Sequence, residues 1–284
     1  MAVQQQVTVV TDSTSYLPGG VAEELGVQVV PLQVQLGGRT GLEGVDVTPA
    51  DVCAALRVRT PVTTSRPTPA EFVEVYRAAL DAGASTVVSL HLSAELSGTC
   101  DSARLAAAEF DPDVVRVIDS RSAAMALGFA VLAAARSAAS GADPQLVEQA
   151  ARRSLERTSA LFYVDSLEWL HRGGRIGTAA ARFGTALAVK PLLHLSDGRI
   201  MPLEKVRTAS KAIARLVQLT VRAAGTDPVD VAVQHLASPD RAAEVAGQLK
   251  EALPHLGQLY ESEVGAVVGA HVGPGLLGVC VTKR

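Results

Sequence analysis

Val7-Thr8-Val9-Val10-Thr11, followed by Asp12-Ser13-Thr14-Ser15, is the stretch from which the fold is read. A run of β-branched residues favours extended backbone, because two heavy atoms on Cβ stiffen χ1 and pack well on a pleated surface. The Asp-Ser pair ends the run, and a helix-like stretch follows around Val21–Leu25. The same grammar returns at Val114–Ile118, where Asp119-Ser120 follows and a helical stretch runs through Ser140. Between the two copies lie a second strand over Val27–Leu36, an apolar strand over Thr86–Leu92 and a helical pattern over Thr99–Phe110. Strands alternating with helices of this length require crossover connections, hence a mostly parallel sheet. The first part of the chain therefore reads as a doubly wound α/β domain.

After Ala142-Asp143-Pro144 and a helix over Gln145–Arg157 the pattern changes. Ala160–Val164 reads as a strand and Leu167–Arg172 as a short helix stopped by Gly173-Gly174. Leu192–Leu195 and Arg199–Leu203 flank Ser196-Asp197-Gly198, a hairpin signal. A helix over Ser210–Ala223, a strand over Val229–Gln234, a helix over Pro239–Leu253 and two closing strands complete an α+β layout. The expected division is residues 1–157 for the N-terminal α/β domain and 158–284 for the C-terminal α+β domain.

Composition narrows the function classes. Hydrophobic residues make up 48% of the 284 positions and charged residues 19%, which is enough apolar content for sizeable cores. The formal charge is −3 with no basic stripe, so nucleic-acid binding is not expected. Cys53, Cys100 and Cys280 are dispersed, which fits a reducing cytoplasm better than a disulfide framework or a thiolate zinc site. Residues 1–10 lack the pattern of a signal peptide. The longest apolar stretch, Ala123–Ala135, is too short for a bilayer and reads as a buried helix. A cytoplasmic protein without an integral membrane segment is expected.

Five segments carry residue types suited to an anion. Pro61-Val62-Thr63-Thr64-Ser65-Arg66-Pro67-Thr68-Pro69 reads as an irregular hydroxyl-rich loop entering a helix, either an anion cradle or plain capping by Thr68. Ser93-Ala94-Glu95-Leu96-Ser97-Gly98-Thr99 follows a parallel strand, where open α/β sheets place ligands; Ser97 is a donor to a ligand or part of an N-cap. In His171-Arg172-Gly173-Gly174-Arg175 the arginines clamp an anion, face a partner or complement the end of a helix. Arg207, in Lys205-Val206-Arg207-Thr208, is a guanidinium at a strand-to-helix junction, or a solvated surface residue. His271 sits in a Gly-rich turn, Gly269-Ala270-His271-Val272-Gly273, as a donor or proton carrier or as an ordinary turn residue. No dinucleotide fingerprint, P-loop or H-E-x-x-H is present, and no metal is implied.

In order along the chain, Thr11-Asp12-Ser13-Thr14, Thr64-Ser65-Arg66-Pro67, Leu96-Ser97-Gly98-Thr99, Gly173-Gly174-Arg175-Ile176, Val206-Arg207-Thr208 and Ala270-His271-Val272-Gly273 resemble the DegV family. That family includes the fatty-acid-binding subunits of bacterial fatty acid kinase. The resemblance implies a long-chain fatty acid such as hexadecanoate, held between the two domains as ligand, with no cofactor. It implies that Thr64 and Ser97 hydrogen-bond the carboxyl group and that His271 approaches it. Arg175 and Arg207 would engage a separate ATP-binding kinase subunit, and Arg207 and His271 would assist transfer to form an acyl phosphate. The chain would then be a substrate-carrying subunit without catalysis of its own. Where the family usually has Gln, this chain has Arg66, and Ala94 follows Ser93 where a second Ser is common. A second rival is a sugar- or dinucleotide-binding enzyme using the strand-end loops of the first domain, without the Gly-rich fingerprint; the main rival is a Ser-dependent acyl hydrolase with Ser97 as nucleophile and His271 as base. No G-x-S-x-G elbow accompanies it.

Overall fold

The computed structural model describes residues 6–176 and 190–284; residues 1–5 of the N-terminal segment read above lie outside that range. The β-branched run forms strand β1 (Val7–Asp12), which pairs in parallel with β2 (Gln28–Val30) and with β6 (Thr86–His91). Strand β7 (Val115–Asp119) adds in parallel to β6, giving the order β2-β1-β6-β7. Every pairing in this sheet is parallel, as the alternation of strands and helices requires.

Helices α3 (Pro69–Asp81) and α4 (Thr99–Ala107) cover one part of this sheet, with Phe72, Tyr76, Ala103 and Ala106 packed against Val10 and Val87. The apolar stretch read as a buried helix is α5 (Met125–Ala139), whose residues are buried almost throughout. It is followed by α6 (Pro144–Glu156).

The chain divides into two compact units, and the division differs from the contiguous split in one segment. The first unit comprises Met1–Gln33 and Ser65–Glu156, the second Val34–Thr64 and Arg157–Arg284. The later boundary lies between Glu156 and Arg157, and residues 34–64 group with the second unit rather than with the N-terminal part of the chain. They contain β3 (Gln33–Leu36), β4 (Arg39–Leu42), α2 (Pro49–Arg57) and β5 (Val62–Ser65), with sheet order β4-β3-β5. Val27–Leu36, read as one strand, is thus two strands in different sheets.

The second unit carries a mixed sheet. Its strands are β8 (Thr158–Tyr163), β9 (Lys190–Ser196), β10 (Arg199–Val206), β11 (Val229–His235), β12 (Leu256–Glu263) and β13 (Leu277–Lys283). The order is β10-β9-β8-β13-β11-β12. The predicted hairpin joins β9 to β10, and β11 to β12 is the parallel pair in this sheet. Helices α8 (Ala209–Ala224) and α9 (Pro239–Ala252) bury Leu216, Val245 and Leu249 against Val231, Val279 and Val281 of the sheet. Two short helices are also described in this unit: α7 (Glu168–Arg172) and α10 (Ala266–Val272).

Residues 34–64 join this unit for identifiable reasons. The buried Glu43 accepts a hydrogen bond of 2.7 Å from the Val267 N–H in the first turn of α10. A carboxyl group at that position satisfies an orphan amide and complements the helix dipole. A Cβ on Gly269 would lie 3.2 Å from Leu236 and 3.8 Å from Val52 of α2, so α10 seats closely on its neighbours.

Candidate functional site

Thr64 lies on β5, not in the irregular loop expected for residues 61–69. Alternation along a strand sends successive side chains to opposite faces. Thr63 donates to Gln35 Oε1 at 3.2 Å and Ser65 to Gln33 Oε1 at 3.2 Å, so both belong to the exposed face. Thr64 takes the other face, where its Oγ1 lies 2.8 Å from His271 Nε2, 207 residues away in sequence. Thr68 has the capping role considered for it: its hydroxyl accepts from the Glu71 N–H, Glu71 returns the bond, and Pro69 opens α3.

His271 is in the last turn of α10, not in a turn outside secondary structure. Its ring lies against Gly173, where a Cβ would stand 2.4 Å from His271 Nδ1. The Trp169 ring closes on Gly273 in the same way, at 2.0 Å from a would-be Cβ. Those glycines therefore admit two flat rings as well as terminating helices. Burial pushes the His271 imidazole down to about 4, and the Arg175 guanidinium acts in the same direction. The ring is neutral at pH 7.

That depression gives stability a pH dependence of defined sign. The unfolded chain takes up the His271 proton near pH 6.5, the folded chain only near pH 4. Between these values the unfolded state binds more protons, so stability falls as pH is lowered through that window. The gap sets a ceiling of about 3 kcal/mol, and partial solvent access brings the expected loss nearer about 2 kcal/mol. Urea unfolding of delipidated protein at pH 7 and at pH 4.5 measures the loss. A His271→Gln variant with an unchanged difference between the two pH values would refute the assignment to His271.

Thr64, His271, Arg175 and Trp169 line a cavity of about 370 Å³ in the second unit, together with Arg59 and Arg172. Arg175 is half-buried, burial lowers its pKa, and its Nη1 donates to the Gly173 carbonyl. Arg172 pairs with Glu168 at 2.7 Å and stands 5.3 Å over the Trp169 ring. Of the arginines in the cavity wall, the sequence reading weighed Arg172 and Arg175 as a pair and carried Arg175 forward. Arg59 and Trp169 were missed as site residues, because their approach depends on α2 and α7 coming together.

The remaining candidates are not among the residues lining this cavity. Ser97 is half-buried in the first unit, in the loop after the carboxyl end of β6. Its Oγ is 2.9 Å from Thr99 Oγ1 and accepts from the Thr99 N–H at 3.3 Å, so it organises the start of α4. The Arg66 guanidinium packs on Gly98, next to Ser97. Arg207 is exposed between β10 and α8, whose first turn is capped by Thr208. For the hydrolase reading the geometry offers no support: Ser97 Oγ engages Thr99, and the hydrogen-bond partner described for His271 is Thr64. Among the described residues no cluster of His, Cys, Asp and Glu is placed to hold a metal ion, and no helix is long and apolar enough to cross a membrane.

A neutral imidazole bonded to a threonine, in a cavity walled by arginines, is chemistry suited to an anion. The chain belongs to the DegV family, whose model, described as an uncharacterised protein of the DegV family, matches residues 6–284. A DegV domain-containing protein of Streptomyces coelicolor is 55% identical, over 99% of this chain and 100% of its own. Among solved structures, a DegV family protein from Thermus thermophilus, described by its fatty acid binding, superposes with a TM-score of 0.93 at 35% identity, covering 98% of this chain and 100% of that one. DegV of Bacillus subtilis, described as a fatty acid binding protein, gives 0.90 at 35% identity, with 98% and 99% covered. The α/β architecture with one parallel and one mixed sheet is that of these structures.

Proposed function

We propose that this chain binds a long-chain fatty acid, such as hexadecanoate, in the cytoplasm and presents its carboxyl group to a separate ATP-using kinase, which converts it to an acyl phosphate. The observation that carries the reading is the Thr64–His271 contact at 2.8 Å inside an arginine-lined cavity. The fatty acid binding described for the Thermus and Bacillus proteins, each 35% identical to this chain, supplies the ligand class.

In the tautomer that keeps its proton on Nε2, His271 donates to Thr64 Oγ1. The Thr64 hydroxyl proton is then left for the ligand carboxylate. Burial keeps the ring neutral at pH 7, so it orients the hydroxyl without adding a charge of its own. Ser97 supplies a second hydroxyl, and Arg175 and Arg207 face the kinase, where Arg207 neutralises charge during transfer and the uncharged His271 assists by positioning. Transfer of a phosphoryl group depends chiefly on such positioning and electrostatics.

Most of the affinity comes from the tail. The roughly fifteen tail carbons at about 0.8 kcal/mol each give a gross transfer energy of about 12 kcal/mol, and immobilisation offsets several of those. The hydroxyls mainly orient the head group and prevent an unpaired buried carboxylate.

Mass spectrometry of organic extracts from purified protein tests the ligand class, with near-stoichiometric fatty acid expected. A Thr64→Ala, Ser97→Ala double variant should bind about 100-fold more weakly, since each hydroxyl bond to a charged group contributes about 1.5 kcal/mol or more. Retention equal to the parent chain removes the head-group assignment. Acyl phosphate formation with the kinase should fall when Arg175 and Arg207 are replaced by Ala; an unaffected rate removes their partner role.

A further inference from the structure

The cavity holds more positive charge than one carboxylate requires. Arg59, Arg172 and Arg175 line it, and among the described residues no Asp or Glu does. Glu168 balances Arg172, but Arg59 is exposed and forms no ion pair among the described residues. Low-dielectric walls lined by one sign of charge focus the field and favour an anion of higher charge.

Arg59 also occupies an unusual backbone position. Helix α2 ends with the Arg59 N–H donating to the Leu56 carbonyl and the Thr60 N–H to the Ala55 carbonyl. This pair of bonds is the Schellman arrangement, which requires a left-handed residue just past the helix. Four other helix ends use the same two bonds, and there the position is held by Gly26, Gly83, Gly141 and Gly174. At α2 it is held by arginine with φ of +57°. A non-glycine residue is disfavoured there by Cβ crowding. Glycine is the residue that capping alone selects, so the arginine is explained by what its side chain does.

We infer that Arg59, with Arg172 and Arg175, forms a phosphoryl-binding subsite beside the Thr64–His271 pair. Guanidinium groups bind phosphate oxygens bidentately, and Thr60 in the same wall adds a hydroxyl. The inference rests on the head-group reading of Thr64 and His271. The bound group is then the phosphoryl of the phosphorylated carboxylate, held next to the carbonyl that carries it.

The chain has one tryptophan, Trp169, and it lines this cavity, so its fluorescence reports occupancy. Delipidated protein is titrated with inorganic phosphate, and separately with acetate and chloride, at constant ionic strength. A saturable change with phosphate, absent with acetate and chloride at the same concentrations, is expected. Arg59→Gly should weaken phosphate binding about 10-fold, as for loss of one charge-assisted contact, while raising Tm by about 2–4 °C through relief of the cap strain. Gain of stability with loss of binding cannot arise from misfolding. No phosphate response, an equal response to acetate, or Arg59→Gly binding phosphate like the parent chain overturns the subsite. Fatty acid content of the parent protein is measured in parallel. Its absence alongside an intact phosphate response would sink the head-group reading, whereas fatty acid without any phosphate response sinks the subsite alone.

Discussion

Replacing Gly173 by alanine is expected to weaken fatty acid retention 10-fold or more while leaving the chain folded. Gly173 has φ of −74° and ψ of −9°, a conformation alanine adopts freely. The main obstacle is the His271 ring: the new Cβ would stand 2.4 Å from His271 Nδ1 and 3.1 Å from its Cε1, with the Trp169 carbonyl at 3.3 Å. Ordinary contact requires the ring to retreat by about 1 Å, and misplacement of that size in a site can cost up to about 100-fold. The 2.8 Å bond to Thr64 is lost on the way. Gly174 provides the control, because it has φ of +70° and nothing within 4 Å of a would-be Cβ. Gly174→Ala should lose about 1 kcal/mol of stability from backbone strain and release fatty acid at the parental rate. Transfer of labelled fatty acid to lipid vesicles measures both. Equal rates for Gly173→Ala and the parent would show that His271 does not position the head group.

The second large effect concerns stability. Asp12 ends β1 fully buried, and its carboxyl group organises the carboxyl ends of two neighbouring strands. It accepts from the Thr14 N–H at 3.1 Å, the Thr14 hydroxyl at 2.5 Å and the Leu92 N–H at 2.9 Å, and lies 3.1 Å from His91 Nδ1. The chain of contacts continues through Ser89 to Tyr76, at 2.7 and 2.8 Å, with the Phe72 ring edge-on to His91. Asp12→Ala leaves buried donors without acceptors, each costing about 1–3 kcal/mol and not additively. A net loss of about 4 kcal/mol is expected, with a fall in Tm of roughly 10 °C. Asp12→Asn keeps the volume and one acceptor oxygen but turns an amide toward a donor, and should lose about half as much. Chemical denaturation of the three proteins checks the order. An alanine variant within about 1 kcal/mol of the parent would mean that water replaces the carboxyl group.

Much of the first unit was legible because local physics and fold agree there. The β-branched run at Val7–Thr11 and its echo at Val114–Ile118 are strands, and the Asp that closes each is a structural acceptor. Asp119 Oδ1 accepts from the Ala94 and Arg121 N–H groups much as Asp12 serves Thr14 and Leu92. Legibility failed at residues 34–64. Thr48-Pro49-Ala50-Asp51 is a capping box, and it was the one signal that could have announced α2. Even with that helix in hand, its assignment to the second unit rests on Glu43, Thr64 and Val52 meeting α10, contacts at sequence separations near 200.

Residue types and local order determined by themselves that this chain alternates strands and helices, ends its strands in Asp and hydroxyl loops, and carries Thr64, Ser97, Arg175, Arg207 and His271 as candidates. Tertiary structure alone decided which of them meet. Thr64 faces His271 because β5 is a strand and turns Thr63 and Ser65 the other way. The ring stays neutral because packing against Gly173 removes it from water. Arg59 joins the wall through a helix end whose left-handed geometry no composition reveals. Periodicity reports what each residue's neighbours along the chain require, whereas a site is made by contacts across it, and those depend on how the elements pack.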